Sequence, residues 1–200
     1  MPIWLERNPD HLESQLPDLD PIVTGRIARL GLTTDKQAIA FLDPAQYDPS
    51  PAAEIPGLMS VADRVEIAIH KSEKICVWGD FDVDGQTSTT ILVSTLQDLG
   101  ASVMFHIPVR GPESHGIGIP QLSEFIKQGI QLILTCDTGI TANQAVEYAN
   151  SRSVDVVITD HHDLPDELPS AVAMTNPKFL NSDHPLSTLA GAGVAYKLAE

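Results

Sequence analysis

The chain has 200 residues, 42% hydrophobic and 20% charged, enough for one domain with a buried core or for one domain plus an appendage. No apolar run approaches membrane-spanning length, and the start, MPIWLERNPD, lacks the basic and apolar regions of a secretory signal, which predicts a cytoplasmic protein with no membrane partner. A formal net charge of −15 argues against strong nucleic-acid binding by this chain alone, because phosphate contacts demand Lys and Arg.

Residues 1–20 are polar and contain proline, and read as irregular. A helix is predicted over 21–31, with Ile22, Ile27 and Leu30 on one face and Gly31 as its stop, and a second over 34–42, opened by Thr34 and Asp35. Four prolines make 43–57 a linker, so 1–57 is expected to be a short helical appendage and 58–200 the main domain. From there strands and helices alternate. Helices are predicted over 59–72, 87–99, 119–127, 141–150 and from 194 onward, and strands over 74–78, 102–107, 131–136, 155–159 and 171–174. Continuous apolar strands separated by helices predict an α/β fold, a five-stranded parallel sheet with helices on both faces. Cys76 and Cys136 fall inside strands and read as small buried hydrophobes in a reducing compartment.

Three strand ends carry the chemistry. The first runs into Gly79-Asp80-Phe81-Asp82-Val83-Asp84-Gly85-Gln86-Thr87-Ser88, the third into Asp137-Thr138-Gly139, and the fourth into Asp160-His161-His162. In one parallel sheet these ends converge at the edge where open α/β sheets bind ligands. Alone, an aspartate at a strand end is most simply a turn or a cap, and a histidine pair is surface decoration. Together they make a pocket of carboxylates and imidazoles, which is a metal site. Adjacent histidines point different ways, so one can ligate an ion while the other faces substrate, and Asp160 can orient an imidazole from behind. Thr87 and Ser88 stand at a helix start, where free amides and hydroxyls suit a phosphate oxygen. His11, His70, His106 and His184 lack such context and read as surface or satisfied polar residues.

Rival readings of the acidic run fare worse. An EF-hand loop needs glutamate at its twelfth position, and counted from Asp80 that position is Ile91. The haloacid-dehalogenase motif D-x-D-G-T is interrupted by Gln86, and that family has no use for a histidine pair. A merely solvated acidic turn is electrostatically costly. Two carboxylates about 6 Å apart repel by roughly 3 kcal/mol at an effective dielectric near 20, which cations or protons must offset.

The ordered set GDFDVDGQTS, CDTG, TDHH and LAGAGVAYKLA resembles the DHH phosphoesterase superfamily. The leader from Phe41-Leu42-Asp43-Pro44 to Gly57-Leu58 is similar to that of its RecJ-type branch, single-strand-specific 5′→3′ DNA exonucleases. The resemblance implies a cofactor of two manganese or magnesium ions, with Asp82, Asp84, Asp137 and His161 as metal ligands and Asp137 bridging both ions. It implies catalytic roles for Asp80, an acid close to the metals, and for His162, facing the scissile phosphate. Thr87, Ser88, Arg110, His115, Gly191 and Gly193 are then expected to contact substrate phosphate. The branch usually carries Glu-Gly-Tyr-Gly shortly after the arginine; here Glu113-Ser114-His115-Gly116 puts His115 where an aromatic is expected.

The implied activity is metal-dependent phosphodiester hydrolysis on single-stranded DNA in repair and recombination. The implied partners are that DNA and a single-strand-binding protein. Alternatives are a DHH phosphoesterase acting on short oligonucleotides, cyclic dinucleotides or phosphoadenosine phosphate, and a non-catalytic replication scaffold, which the intact Asp82, Asp84, Asp137 and His161 disfavour. The family's last ligand and a second domain are expected beyond Glu200, so this chain is expected to be a fragment with little activity alone.

Overall fold

Residues 19–32, 34–113 and 115–200 are described by the computed structural model, and the chain divides into two units between Pro49 and Ser50. The polar leader at 1–18, with His11, lies outside the described residues. In the first unit α1 (Pro21–Arg29) starts at Pro21 because Asp20 caps it, accepting from the Ile22 amide at 2.8 Å. Helix α2 (Asp35–Leu42) opens on a capping box in which Thr34 and Gln37 satisfy each other's amides. The expected boundary at 57/58 differs from the observed division. Residues 50–57 pack with the second unit, where Ile55 is buried with Leu58 and Leu186 and the Thr175 hydroxyl donates to the Pro56 carbonyl.

The second unit continues with α3 (Leu58–His70), β1 (Lys74–Trp78), α4 (Val83–Asp98), β2 (Ser102–His106), α5 (Ile119–Lys127), β3 (Leu132–Cys136), α6 (Asn143–Asn150), β4 (Asp155–Thr159), β5 (Ala173–Thr175) and α7 (Gly191–Ala199). The five strands form one parallel sheet in the order β2-β1-β3-β4-β5. Helices cover both faces, as the continuous apolar strands required. Ile75, Val77, Leu132, Leu134 and Val157 face Val61, Val65, Leu92, Leu96 and Ala195 of α3, α4 and α7. Cys76, Trp78, Ile133, Val156 and Ile158 face Leu122, Val146 and Ala149 of α5 and α6. Each fully buried Leu, Ile or Val contributes about 1.5–3 kcal/mol. No helix among the described residues is long and apolar enough to cross a membrane.

Two boundaries differ from expectation in a way that matters for the site. Helix α4 begins at Val83 rather than 87, because Asp82 caps it by accepting from the Gly85 amide at 2.9 Å. Gly85 is therefore a helical residue. It is glycine because a Cβ there would lie 2.5 to 2.7 Å from the Asp80 backbone. Helix α7 begins at Gly191 rather than 194. Both shifts bring helix starts to the carboxyl ends of the strands. The chain leaves β1 toward β2 on one side and returns to β3 on the other. The crevice therefore opens between β1 and β3, at the switch point of this strand order.

Candidate metal centre

Directly after β3, Asp137 takes φ +59°, a left-handed conformation that aspartate tolerates better than most residues. Gly139 follows at φ +112°, where a Cβ would meet the Thr135 hydroxyl at 2.8 Å, so the turn is forced tight. Asp137 is 1% exposed, and both its carboxylate oxygens are buried without a well-directed hydrogen bond from the described residues. Its near neighbour is His161, just past the adjacent β4, whose Nε2 lies 2.9 Å from Asp137 Oδ1 and 3.4 Å from Asp84 Oδ2.

These groups perturb one another. Burial pushes the Asp137 carboxyl up from its ordinary 3.8, His161 pulls it back, and the charges of Asp84 and Asp82 push it up again. The His161 imidazole is raised above 6.5, first by its contact with Asp137, against a smaller opposing effect of burial.

Asp160 is buried and fully engaged. Its Oδ2 accepts from the Ile140 amide at 2.9 Å, and its Oδ1 from the His161 amide at 2.7 Å, the His162 amide at 3.1 Å and His162 Nδ1 at 2.8 Å. It ties the β3 turn to the β4 end. By holding the Nδ1 proton of His162 it leaves Nε2 as that ring's lone-pair nitrogen. Ligand atoms of Asp137, His161 and His162 all lie within 4.8 Å of one another.

The β1 end supplies the remaining acids. Asp84, in the first turn of α4, accepts at both oxygens from α7, from the Gly191 amide and the Ala192 amide, each at 2.7 Å. Asp82 is exposed and caps α4. Asp80 is buried and accepts from the Phe81 amide at 2.6 Å, and it meets His115 Nδ1 at 3.1 Å. His115 stacks on Phe81 at 4.2 Å between ring centroids, and the exposed Arg110 guanidinium lies 5.4 Å from the Phe81 centroid. A cleft of about 270 Å³ opens here, lined by Asp80, His115, Thr138, Gly139, Asp160 and His162 among others.

The fold thus brings Asp84, Asp137 and His161 into mutual reach, with Asp82 beside them and Asp80, His115 and His162 on the cleft. Four of the residues expected at substrate phosphate have other neighbours. Thr87 and Ser88 donate their hydroxyls at 2.7 Å to the Val83 and Asp84 carbonyls of their own helix, the back-bond that serine and threonine make inside helices. The Gly191 amide is taken by Asp84, and Gly193 abuts Leu189. Residue reasoning missed Phe81, although its place between two aspartates was visible, and Ala192, which acts through its backbone and leaves no mark in residue type. His106 meets Glu113 at 2.8 Å and stacks on Trp78, and is satisfied. Burial pushes the thiols of Cys76 and Cys136 up to about 12, so neither is a nucleophile or ligand at neutral pH.

The donors fit a divalent cation. Two ligands each about 2.1 Å from an octahedral ion stand about 3 Å apart, and Asp137 Oδ1 and His161 Nε2 are 2.9 Å apart. A buried carboxylate with no well-directed hydrogen bond and one imidazole beside it calls for a cation or a proton. Mixed carboxylate and imidazole donors suit manganese, and the carboxylates also suit magnesium.

The model of the family described as "DHH family, N-terminal domain" matches residues 74–200. The single-stranded-DNA-specific exonuclease RecJ of Bacillus subtilis strain 168 is 39% identical over 204 residues, spanning 98% of this chain and 25% of that protein. A crystal structure of exonuclease RecJ bound to manganese superposes with a TM-score of 0.68 at 34% identity, over 76% of this chain and 38% of that one. RecJ of Thermus thermophilus in complex with Mn²⁺ gives 0.65 at 29% identity, over 82% of this chain and 24% of that one. The chain spans a quarter to a third of the length of the curated relatives it matches.

Proposed function

Because this chain belongs to the DHH family, we propose that it carries the metal-binding part of a nuclease site that hydrolyses phosphodiesters of single-stranded DNA. The observation that carries this reading is the pair Asp137 and His161, 2.9 Å apart at the β1/β3 crevice, with Asp84 3.4 Å from the same imidazole nitrogen. Asp82, Asp84, Asp137 and His161 would hold two divalent ions, manganese or magnesium. Such ions supply a water of lowered pKa and neutralise charge on the phosphate and its leaving oxygen.

The chain's own groups prepare that site. Asp137, already desolvated, presents Oδ1 beside the His161 imidazole. Asp160 fixes the His162 tautomer, so that Nε2 presents a lone pair where it can accept a proton or a hydrogen bond in the cleft. Asp80 holds His115 against Phe81 at the mouth, two rings on which a base can stack, with Arg110 close enough to pair with a phosphate. The proposal extends to 5′→3′ polarity, a role in repair and recombination, a single-strand-binding protein as partner and a cytoplasmic location. The likeness to relatives named single-stranded-DNA-specific exonucleases supports the substrate class.

A second reading, hydrolysis of short oligonucleotides, is favoured by one observation. The chain carries −15 net charge, which repels a long polyanion more than a dinucleotide. The test compares nucleotide release from 5′-labelled single-stranded DNA, a duplex and a dinucleotide, with Mn²⁺ and with EDTA. Slow, Mn²⁺-dependent release from the single strand, abolished by Asp137→Asn, is expected. Release from the dinucleotide alone would select the second reading. Release that ignores Mn²⁺ or the substitution would reject both.

A further inference from the structure

We propose that Gly191 and Ala192 are positioning residues of the metal centre. Their amides hold Asp84, and the missing side chain of Gly191 makes the room that Asp137 occupies. This rests on the metal-binding reading above.

Asp84 stands on α4 and Asp137 at the end of β3, 53 residues apart in sequence. Nothing local sets the distance between them. The start of α7 touches both. Asp84 Oδ2 accepts from the Gly191 amide and Oδ1 from the Ala192 amide, each at 2.7 Å. One amide on each oxygen fixes the carboxylate plane and leaves each oxygen a lone pair for an ion. These amides are orphan donors of the first helical turn, and the positive end of the helix dipole attracts a carboxylate.

On the other side, a Cβ built at Gly191 would lie 2.6 Å from Asp137 Oδ1, 2.8 Å from its Cβ and 2.9 Å from its Cγ. Asp137 has little freedom to yield, being 1% exposed and held at φ +59°. Gly191 is not among the residues with positive φ, so its need is for space rather than backbone freedom. Gly193, two residues on, is the contrast. Its Cβ would meet chiefly Leu189 Cδ2 at 2.9 Å, the tip of a side chain that can turn away. A single residue therefore sets the approach of two acidic ligands borne by different elements, while its neighbour in the same turn does not.

The experiment measures Mn²⁺ affinity by equilibrium dialysis, together with the melting temperature in EDTA. The proteins are the wild type, Gly191→Ala, Gly193→Ala and Ala192→Pro. Proline at the second helical position removes one amide to Asp84 without breaking the helix, as Pro120 already sits in that position of α5. Residues that orient metal ligands typically carry about 10–100-fold in affinity. Gly191→Ala and Ala192→Pro are expected to lose that much Mn²⁺ affinity, with the metal-free protein still folded, while Gly193→Ala keeps wild-type affinity. Should Gly191→Ala fail to fold, Ala192→Pro decides. Wild-type affinity in a folded Ala192→Pro or Gly191→Ala overturns the inference while leaving the metal centre intact. Absence of Mn²⁺ binding by the wild type overturns the proposed function itself.

Discussion

His161 Nε2 lies 2.9 Å from Asp137 Oδ1, across the ends of the neighbouring parallel strands β4 and β3. Without a cation this contact is favourable when Nε2 carries a proton, in the imidazolium or in the Nε2–H form of the neutral ring. In the proposed metal centre the same two atoms would be ligands, and the Nε2 proton would have to leave. Protons and metal ions therefore compete for a single place in the fold.

That competition predicts opposite pH trends for the metal-free and metal-bound protein. The His161 imidazole is raised above 6.5 in the fold, so its stabilising contribution is complete below 6.5 and is lost as pH rises through its folded pKa. The Asp137 carboxyl, raised above 3.8, also binds its proton more tightly when folded, and this contribution too declines as pH rises. In EDTA the His161 contribution lowers the melting temperature as pH rises above 6.5, and His161→Ala flattens the decline. In excess Mn²⁺ the increment over EDTA grows across the same range. Thermal denaturation at several pH values, with and without Mn²⁺, checks both slopes. A metal increment that shrinks toward pH 8 would contradict the competition.

Asp137→Asn separates stability from function. The substitution removes a buried charge with no well-directed hydrogen bond and keeps a side chain that tolerates φ +59°. In EDTA at pH 8 the variant is expected to melt higher, by about 2–4 °C if the relief is about 1 kcal/mol. Asp137→Ala, which cannot favour the left-handed backbone, melts below Asp137→Asn by the equivalent of about 1–2 kcal/mol. Neither responds to Mn²⁺. A metal-free Asp137→Asn that melts well below the wild type would show that the carboxylate stabilises the empty site.

Much of this was legible before the structure. Strands β1, β3 and β4 are buried on both faces and therefore appear as unbroken apolar runs, and their acidic ends follow at once. The residue pattern starts α4 and α7 too late for one reason. Gly85 and Gly191 lie ahead of the predicted starts at 87 and 194, whereas both are helical and lack a side chain because Asp80 or Asp137 fills the space. Such close approach is a property of distant chain segments and leaves no local pattern. The hydroxyls of Thr87 and Ser88 read as phosphate donors only for a helix that begins at 87. In a helix that begins at Val83 they face carbonyls of their own first turns. Which of His161 and His162 meets Asp137 was not visible in the residues themselves, and came from family resemblance alone.

The glycine at position 85 offers a structural control on the same corner. Gly85→Ala would set a Cβ 2.5 Å from the Asp80 carbonyl oxygen and 2.6 Å from its amide nitrogen, atoms that cannot rotate away. Overpacking of this kind costs about 1–3 kcal/mol. By contrast a Cβ at Gly25, inside α1, meets nothing within 4 Å, and Gly25→Ala should stabilise by about 0.5–1 kcal/mol. Chemical denaturation of both variants reads the difference. Equal stabilities would show that the Asp80 backbone can move at little cost.

Calorimetric titration with Mn²⁺ at pH 7.5, of the wild type beside Asp137→Asn and His161→Ala, tests the metal centre most directly. Saturable binding by the wild type is expected, with release of protons seen as a dependence of the heat on buffer. Asp137→Asn should weaken it at least 100-fold, because the buried carboxylate beside His161 is gone. Wild-type affinity in both variants would contradict the assignment of Asp137 and His161 as ligands.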